Sequence, residues 1–438
     1  MKFIFDLQAS HNDPSGLESL YQTARQAGEE AEFRADLLSL YTGSSDNLLY
    51  AAWHFRFQNT PLPKVRRGTN WIMAAVLGAI TGLIFWLLSD ISSNQLLFLK
   101  HMPYLVLLWA PIASLLTLVF LTITSRKGYW QSVVAGTGLA LACIYIVLIA
   151  PGQESHFSST YLDLMAVHLP LLAWIALGLA VLGWSSHSEN RFAFLIKSLE
   201  VAVTAGLYLI AGVVFGGITL GLFAALNITP PDLVIRLIGA GGFGLLPVLA
   251  VASVYDPHIS PEAQDFSQGL SRFIFTMMRL LLPLTLLVLV IYVCFVPFNF
   301  MAPFEARDVL IVYNLMLFAI MGLLVSVTPL KGDDLSPRLQ SALRKGILAV
   351  AGLAVVVSLY ALAAVIYRTA LGGITINRLT IIGWNGINIG ILIALLFTQF
   401  TGGYDGWDRR LRGIISQGAI AYLAWTAFLV VAIPLFFR

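Results

Sequence analysis

The sequence predicts an all-α protein: a polytopic transmembrane helical bundle of about eleven spans, with a small soluble helical segment at its N-terminus. The first observation is composition, because 58% of the 438 residues are hydrophobic and only 11% are charged, whereas soluble domains carry about 25% charged residues. The second is that apolar runs about 20 residues long, enough to cross a bilayer, recur from residue 69 onward. The third is that the loops between these runs are too short to fold a catalytic domain.

The first 60 residues differ from the rest of the chain and predict a cytoplasmic helical hairpin. One helix is expected over about 15–41 and a second over about 46–58, each with an apolar stripe at helical spacing. Two interpretations remain open for this hairpin: it covers the membrane domain or the bilayer surface, or it docks a partner protein. Residues 61–68, with two prolines and three basic side chains, form a basic linker.

Residues 69–438 form the predicted transmembrane domain. Eleven apolar runs are long enough to span a bilayer. Their approximate bounds are 69–89, 103–124, 131–150, 161–184, 194–224, 231–254, 273–297, 308–329, 345–367, 377–399 and 414–436. The odd number of spans places the two ends of this domain on opposite faces of the membrane.

The distribution of lysine and arginine predicts the orientation. The larger share of these residues in the loops and flanks falls on the side of the N-terminal segment. The opposite side carries six: Lys100, Arg236, Arg307, Arg368, Arg378 and Arg438. Because cytoplasmic loops are enriched in Lys and Arg, we expect a cytoplasmic N-terminus and a C-terminus outside.

The turn between the ninth and tenth spans is a candidate anion or headgroup site. It holds Arg368, Thr375, Asn377 and Arg378 beside a glycine pair. In the predicted topology this turn lies outside, where cations are scarce, so topological anchoring does not account for its two arginines. Two interpretations stay open. The guanidinium groups cap backbone carbonyls of the two helices, or they bind an anion.

A second candidate is an intramembrane polar cluster near the cytoplasmic ends of the fifth and seventh spans. Lys197 and Glu200 are three residues apart, which places them on one helix face where they can pair. Arg279 precedes Pro283 by one turn and is a candidate third member. Ionisable residues inside membrane spans are often functional, but an interfacial ion pair and a snorkelling arginine explain the same residues.

The sequence shows no motif for catalysis, cofactor binding or metal binding in a suitable structural context. Cys143 and Cys294 lie within apolar runs and are typical of buried small hydrophobes. No phosphate-binding loop, dinucleotide fingerprint, zinc motif or nucleophile elbow stands in a suitable position. The sequence therefore predicts no cofactor, no metal, no catalytic residue and no nucleic-acid partner; the lipid bilayer is the expected environment.

Two stretches of the second half resemble a known family. These are residues 275–284 (FTMMRLLLPL), followed by Tyr292, and the pattern formed by Arg368, Gly373-Ile374-Thr375 and Asn377-Arg378. Over about residues 190–400 the chain resembles the bacterial polytopic family catalogued as domain of unknown function 4153, although Leu379 stands where that family has an aromatic residue. The family is envelope-associated and has no settled activity. The resemblance therefore implies a bacterial, multi-pass inner-membrane protein and no particular reaction.

Three classes of function are compatible with these residues. The sequence favours a non-enzymatic structural, assembly or regulatory subunit whose cytoplasmic hairpin docks a partner. A secondary transporter or channel-like protein, using the two polar clusters, is the alternative. A membrane-embedded enzyme acting on a lipid-linked or anionic substrate is the third, and the lack of a clustered acid and base weighs against it.

Overall fold

Backbone hydrogen bonding inside a bilayer must be satisfied within each span, and the chain does this with helices almost throughout. The computed structural model describes residues 2–26, 29–43, 47–59, 69–91, 95–99, 102–149, 156–266, 269–305, 307–330 and 335–437. The chain divides into two compact units, Met1–Gly68 and Thr69–Arg438. Each unit is described by itself.

The described residues of the N-terminal unit form four helices where the sequence predicts two. They are α1 (Ile4–Ala9), α2 (Pro14–Gln26), α3 (Glu30–Gly43) and α4 (Leu48–Asn59). The helix expected over 15–41 is divided because the chain turns after α2, and the N–H of Glu29 donates to the carbonyl of Ala24 at 2.8 Å. The apolar stripes of all four helices meet in one core that includes Leu7, Leu17, Phe33 and Trp53.

Several polar groups inside this unit are paired. Asp36 accepts a hydrogen bond from the backbone N–H of Phe3 at 2.9 Å. The hydroxyl of Tyr50 donates to the carbonyl of Leu7 at 2.7 Å. Buried Glu30 holds Arg34 at 2.6 Å. These bonds satisfy groups that would be costly to bury alone, and they connect α1 and α4 to the core.

The second unit confirms the predicted fold class, since its described residues contain eleven helices long and apolar enough to cross a membrane. These spans are α5 (Trp71–Leu88), α6 (Tyr104–Ser125), α7 (Tyr129–Ile149), α8 (His156–Leu182), α9 (Ser188–Ala225), α10 with α11 (Asp232–Arg236 and Gly242–Val254), α12 (Gly269–Phe295), α14 (Arg307–Val327), α15 (Pro337–Gly372), α16 (Ile376–Thr401) and α17 (Trp407–Val431). The short helices α13 (Ala302–Glu305) and α18 (Ile433–Phe436) lie between or after them. Two-residue strands, β1 (Phe98–Leu99) and β2 (Met102–Pro103), pair antiparallel before α6.

Two spans are longer than a bilayer requires. Helix α9 has 38 residues and α15 has 36, about 57 and 54 Å at ~1.5 Å per residue. Their ends therefore extend beyond the hydrocarbon layer of about 30 Å. Consecutive spans alternate in direction, so α8, α14 and α16 begin on the face where α15 ends. This face is called the α16 face here, and the opposite one, where α9 begins, is the α9 face.

The sixth span is joined to the first by direct backbone contact. A π-helical segment, Leu237–Gly241, connects α10 to α11. A Cβ atom on Gly244 would lie 2.6 Å from the Cα of Gly82, and one on Gly82 would lie 2.6 Å from the carbonyl oxygen of Gly241. Glycine at these positions lets α5 and α11 approach more closely than any side chain would allow.

Two buried clusters hold the remaining spans together. The larger joins α9, α12, α14, α15, α16 and α17 around residues such as Leu324, Ile347 and Leu392. The second joins α8 to α16 and α17 through Tyr161, Leu169 and Leu429. Helices α8, α14 and α16 also line a pocket on the α16 face.

Candidate functional site

A pocket of about 1000 Å³ opens on the α16 face between α8, α14, α15 and α16. Its polar lining contains the four residues that the sequence singles out, Arg368, Thr375, Asn377 and Arg378. Its apolar lining comes from all four of these helices. Val167 on α8 and Ile311 on α14 belong to this lining and are 63% and 51% exposed. In a membrane-spanning helix such exposed side chains face lipid, so the pocket wall continues onto the lipid-facing surface.

The turn between α15 and α16 is much tighter than the sequence predicts. Helix α15 continues through Gly372, and the chain reverses at Gly373, whose φ of 74° favours glycine. Thr375 is the N-cap of α16, and its hydroxyl accepts the backbone N–H of Arg378 at 3.3 Å. The short polar turn that the sequence predicts is therefore shorter still, and its polar side chains are held in place by two helix ends.

Both arginines make the carbonyl contacts expected of a structural role. Arg378 donates from Nη1 to the carbonyl of Gly373 at 2.6 Å. Arg368 donates from Nη1 to the carbonyl of Glu305, on α13, at 3.0 Å. Each of these bonds uses one terminal nitrogen of a group that carries five N–H donors. Because both side chains line the pocket and are only half-buried, carbonyl capping and anion binding are compatible in one arrangement.

The charge around the pocket is positive on balance among the described lining groups. The first turns of α8, α14 and α16 all contribute lining residues, and a helix N-terminus carries about half a positive charge. Opposing them are the carboxylate of Asp163 and the C-terminal end of α15. Two guanidinium groups and three N-terminal ends outweigh one carboxylate and one C-terminal end.

A buried histidine lines the inner end of the pocket and is hydrogen-bonded to a buried tryptophan behind it. His168 on α8 donates from Nδ1 to the carbonyl of Leu164 at 2.8 Å, and its Nε2 accepts the indole N–H of Trp384 on α16 at 3.0 Å. An indole N–H can only donate, so Nε2 carries a lone pair and the imidazole is neutral. The rings also stack, with centroids 5.9 Å apart. Residues 216 positions apart give no local signal, and the sequence does not predict this pair.

The polar cluster near the α9 face joins Lys197 to Glu200, as the spacing predicts. Lys197 Nζ lies 2.6 Å from Glu200 Oε2, and the two residues are only 3% and 7% exposed. The ammonium group also donates to the carbonyl of Asp265 at 2.9 Å and lies 4.7 Å from the centroid of the Phe266 ring.

Ser271, at the start of α12, completes the cluster. Its hydroxyl donates to Glu200 Oε2 at 2.6 Å. The pair is thus desolvated and held by three elements: α9, the segment before α12, and α12 itself. With the ammonium and the carboxylate engaged in this way, the arrangement favours a structural attachment of α12 to α9.

Arg279 does not join this cluster. Its guanidinium lies over the ring of Phe275, 6.0 Å from the centroid, and the side chain is half-buried. Glu200, which the sequence suggests as its partner, instead binds Lys197 and Ser271. The buried Nε of Arg279 has no hydrogen-bond partner among the described residues.

The eleven apolar helices found in the described part of the chain define a multi-pass integral membrane protein of the helical type. Compared with known proteins, it matches no protein-family model, no curated protein and no solved structure at a significant level. The resemblance to the domain of unknown function 4153 family stays a prediction.

Proposed function

We propose that this membrane protein binds an anionic amphiphile, with the anionic headgroup in the pocket lined by Arg368 and Arg378. The observation that carries the proposal is the composition of that pocket. Two guanidinium groups, the amide of Asn377 and the N-terminal end of α16 converge on a space of about 1000 Å³. Its walls continue as apolar surface toward the lipid.

A phosphate or phosphate ester is the headgroup that fits this donor set best. Guanidinium groups bind phosphate through paired N–H···O bonds, and a helix N-terminus favours the same negative charge. A guanidinium group also stays protonated over the whole physiological pH range, unlike an imidazole group. The neutral His168 marks the inner limit of the polar zone, where the pocket changes from charged to aromatic walls.

The proposed binding role needs no catalytic step and agrees with a non-enzymatic protein. Docking of a partner by residues 1–60 stays a prediction, as do the cytoplasmic position of that segment, the external C-terminus and the bacterial inner membrane. Removal of residues 1–60 tests the docking role. We expect the membrane unit to fold while a co-purifying protein is lost; an unfolded membrane unit would instead assign the segment a structural role.

The headgroup site is tested with the full-length protein in detergent and a phosphatidic acid probe, using native mass spectrometry to count bound lipid. Arg368→Gln and Arg378→Gln each remove a charged hydrogen-bond donor worth about 1.5–3 kcal/mol. We therefore expect binding to weaken about 10- to 100-fold for each variant. Arg378→Lys should be intermediate because it keeps the charge and loses the bidentate geometry.

Arg338→Gln is the matched control, because Arg338 is exposed at the start of α15, on the α9 face. It removes the same charge without touching the pocket. Equal binding by wild type, Arg368→Gln and Arg378→Gln would refute the proposed site. Preference for phosphatidic acid over phosphatidylcholine should vanish in the pocket variants if the phosphate is what the arginines recognise.

A further inference from the structure

A second cavity, of about 370 Å³, lies deeper in the bundle between α8, α9, α14, α16 and α17. Its walls are almost entirely apolar and include Leu171 and Ile175 on α8, Leu195 on α9 and Val325 on α14. This volume falls within the range of ligand-binding cavities, about 300–1000 Å³. A cavity with such walls excludes water, so its natural occupant is hydrocarbon.

One aromatic layer separates this cavity from the headgroup pocket. His168 lines the pocket, and Trp384, which donates a hydrogen bond to it, lines the cavity. Phe318 on α14 packs edge-on against Trp384, with ring centroids 5.4 Å apart, and also lines the cavity. The same three helices, α8, α14 and α16, therefore form walls of both spaces, and the apolar space lies further along these helices than the charged one.

The cavity has an exposed flank toward the bilayer. Phe318 on α14 is 38% exposed, and Ala202 on α9 is also exposed, so the cavity is open on the side that these two residues line. In a membrane such an opening meets lipid chains. A hydrocarbon chain that enters here moves from the apolar interior of the bilayer into an apolar cavity. Its entry therefore brings no polar group of the ligand into contact with hydrocarbon.

We propose that this cavity holds the hydrocarbon chain of the same amphiphile whose phosphate occupies the headgroup pocket. The inference rests on the proposed function and narrows the ligand to a long-chain phosphate ester. Its phosphate lies at Arg368 and Arg378, and its chain passes along the exposed groove beside Phe318 into the space around Leu171 and Val325. The cationic groups of α15 and α16 at the pocket, followed by the apolar walls of the cavity, match the order of groups in such a molecule.

The test uses a long-chain alkyl phosphate that carries a photoreactive diazirine at the end of its chain. The labelled peptides of the full-length protein are identified by mass spectrometry. We expect labelling of α8 around Leu171 and of α14 around Val325. Gly322→Leu should abolish it, because a Cβ atom at Gly322 meets nothing within 4 Å and a leucine there projects into the cavity that Gly322 lines.

Gly217→Leu is the control for helix substitution. Gly217 is an exposed residue of α9 whose added Cβ also meets nothing within 4 Å, but it lies outside the cavity. This variant should keep full labelling. Labelling of lipid-facing peptides alone in the wild type, or equal labelling in Gly322→Leu and wild type, would overturn the chain site.

The two proposals fail in different ways. If the chain site is wrong and the headgroup site is right, Arg378→Gln weakens phosphatidic acid binding while Gly322→Leu leaves cavity labelling unchanged. If a neutral long-chain alcohol probe labels the cavity as strongly as the phosphate, and Arg378→Gln changes neither, the cavity accepts any lipid chain and the inference of a shared ligand is refuted.

Discussion

Breaking the Lys197–Glu200 pair one residue at a time should destabilise the membrane unit more than removing both charges. Lys197→Met leaves Glu200, which is 7% exposed, with the hydroxyl of Ser271 as its remaining described partner, and it removes the donor to the carbonyl of Asp265. A buried charge that loses its partner costs about 3–5 kcal/mol. The double variant Lys197→Met/Glu200→Met replaces a buried pair by apolar side chains, which is often close to neutral. The hydroxyl of Ser271 and the carbonyl of Asp265 both lose the hydrogen bond to this pair, so we expect a net loss of about 2–3 kcal/mol for the double variant.

The assay is reversible unfolding of the purified protein in mixed micelles of increasing denaturing-detergent content, followed by circular dichroism. Lys345→Met is the control, since Lys345 is an exposed lysine on α15, and we expect a change within about 0.5 kcal/mol. A double-mutant cycle gives the coupling free energy directly. If the two single substitutions simply add, or if Lys197→Met costs no more than Lys345→Met, the pair does not attach α12 to α9 as the geometry indicates.

Two further predictions concern backbone contact and pH. Gly244→Ala should destabilise the membrane unit by about 1–3 kcal/mol, because its Cβ would lie 2.6 Å from the Cα of Gly82, whereas Gly239→Ala, with nothing within 4 Å, should not; detergent unfolding compares them. In the N-terminal unit, the pKa of Asp13 lies below its ordinary value of 3.8, mainly because it accepts the backbone N–H of Gly16. Because the pKa of Asp13 is lower in the folded state than in the unfolded state, its carboxylate stabilises the folded state above pH 3.8. This stabilisation is lost as the pH falls through the lower pKa of the folded state. The protection factors of the amides at the start of α2, measured by hydrogen exchange, should therefore fall below pH 3.8 in the wild type, and Asp13→Asn should remove that step.

The sequence predicts the membrane spans well because the bilayer imposes the same requirement on each of them. A span must be apolar and must satisfy its own backbone hydrogen bonds, and both conditions are readable from composition. Hydropathy identifies only the part of a helix that lies inside the hydrocarbon layer of the bilayer. For this reason the ninth span is predicted over 345–367, while helix α15 extends from Pro337 to Gly372. The helical ends outside the hydrocarbon layer carry ordinary polar residues that hydropathy does not register.

The candidate sites show a similar difference. Contacts between residues that are close in the sequence can be predicted from it, and contacts between distant residues cannot. The Lys197–Glu200 pair lies on one helix face, and its spacing alone predicts it. Arg368 and Arg378 flank one tight turn, so their nearness also follows from the local sequence. The contact between His168 and Trp384 does not follow from the local sequence. His168 and Trp384 meet only because α8 packs beside α16, and no period or motif in one sequence encodes which helices are neighbours.

Exposure and spare donors distinguish the two polar clusters more clearly than charge does. At the α9 face, Lys197 and Glu200 are almost fully buried, and their charged groups bind each other, a carbonyl and a hydroxyl. A ligand could enter only by displacing bonds that already compensate for burial. At the α16 face, each arginine uses one nitrogen on a carbonyl and remains half-buried beside a pocket of about 1000 Å³. The carbonyl contacts fix the guanidinium groups in position, and this reduces the entropy lost when a phosphate binds. The structural role of these arginines therefore supports the binding role.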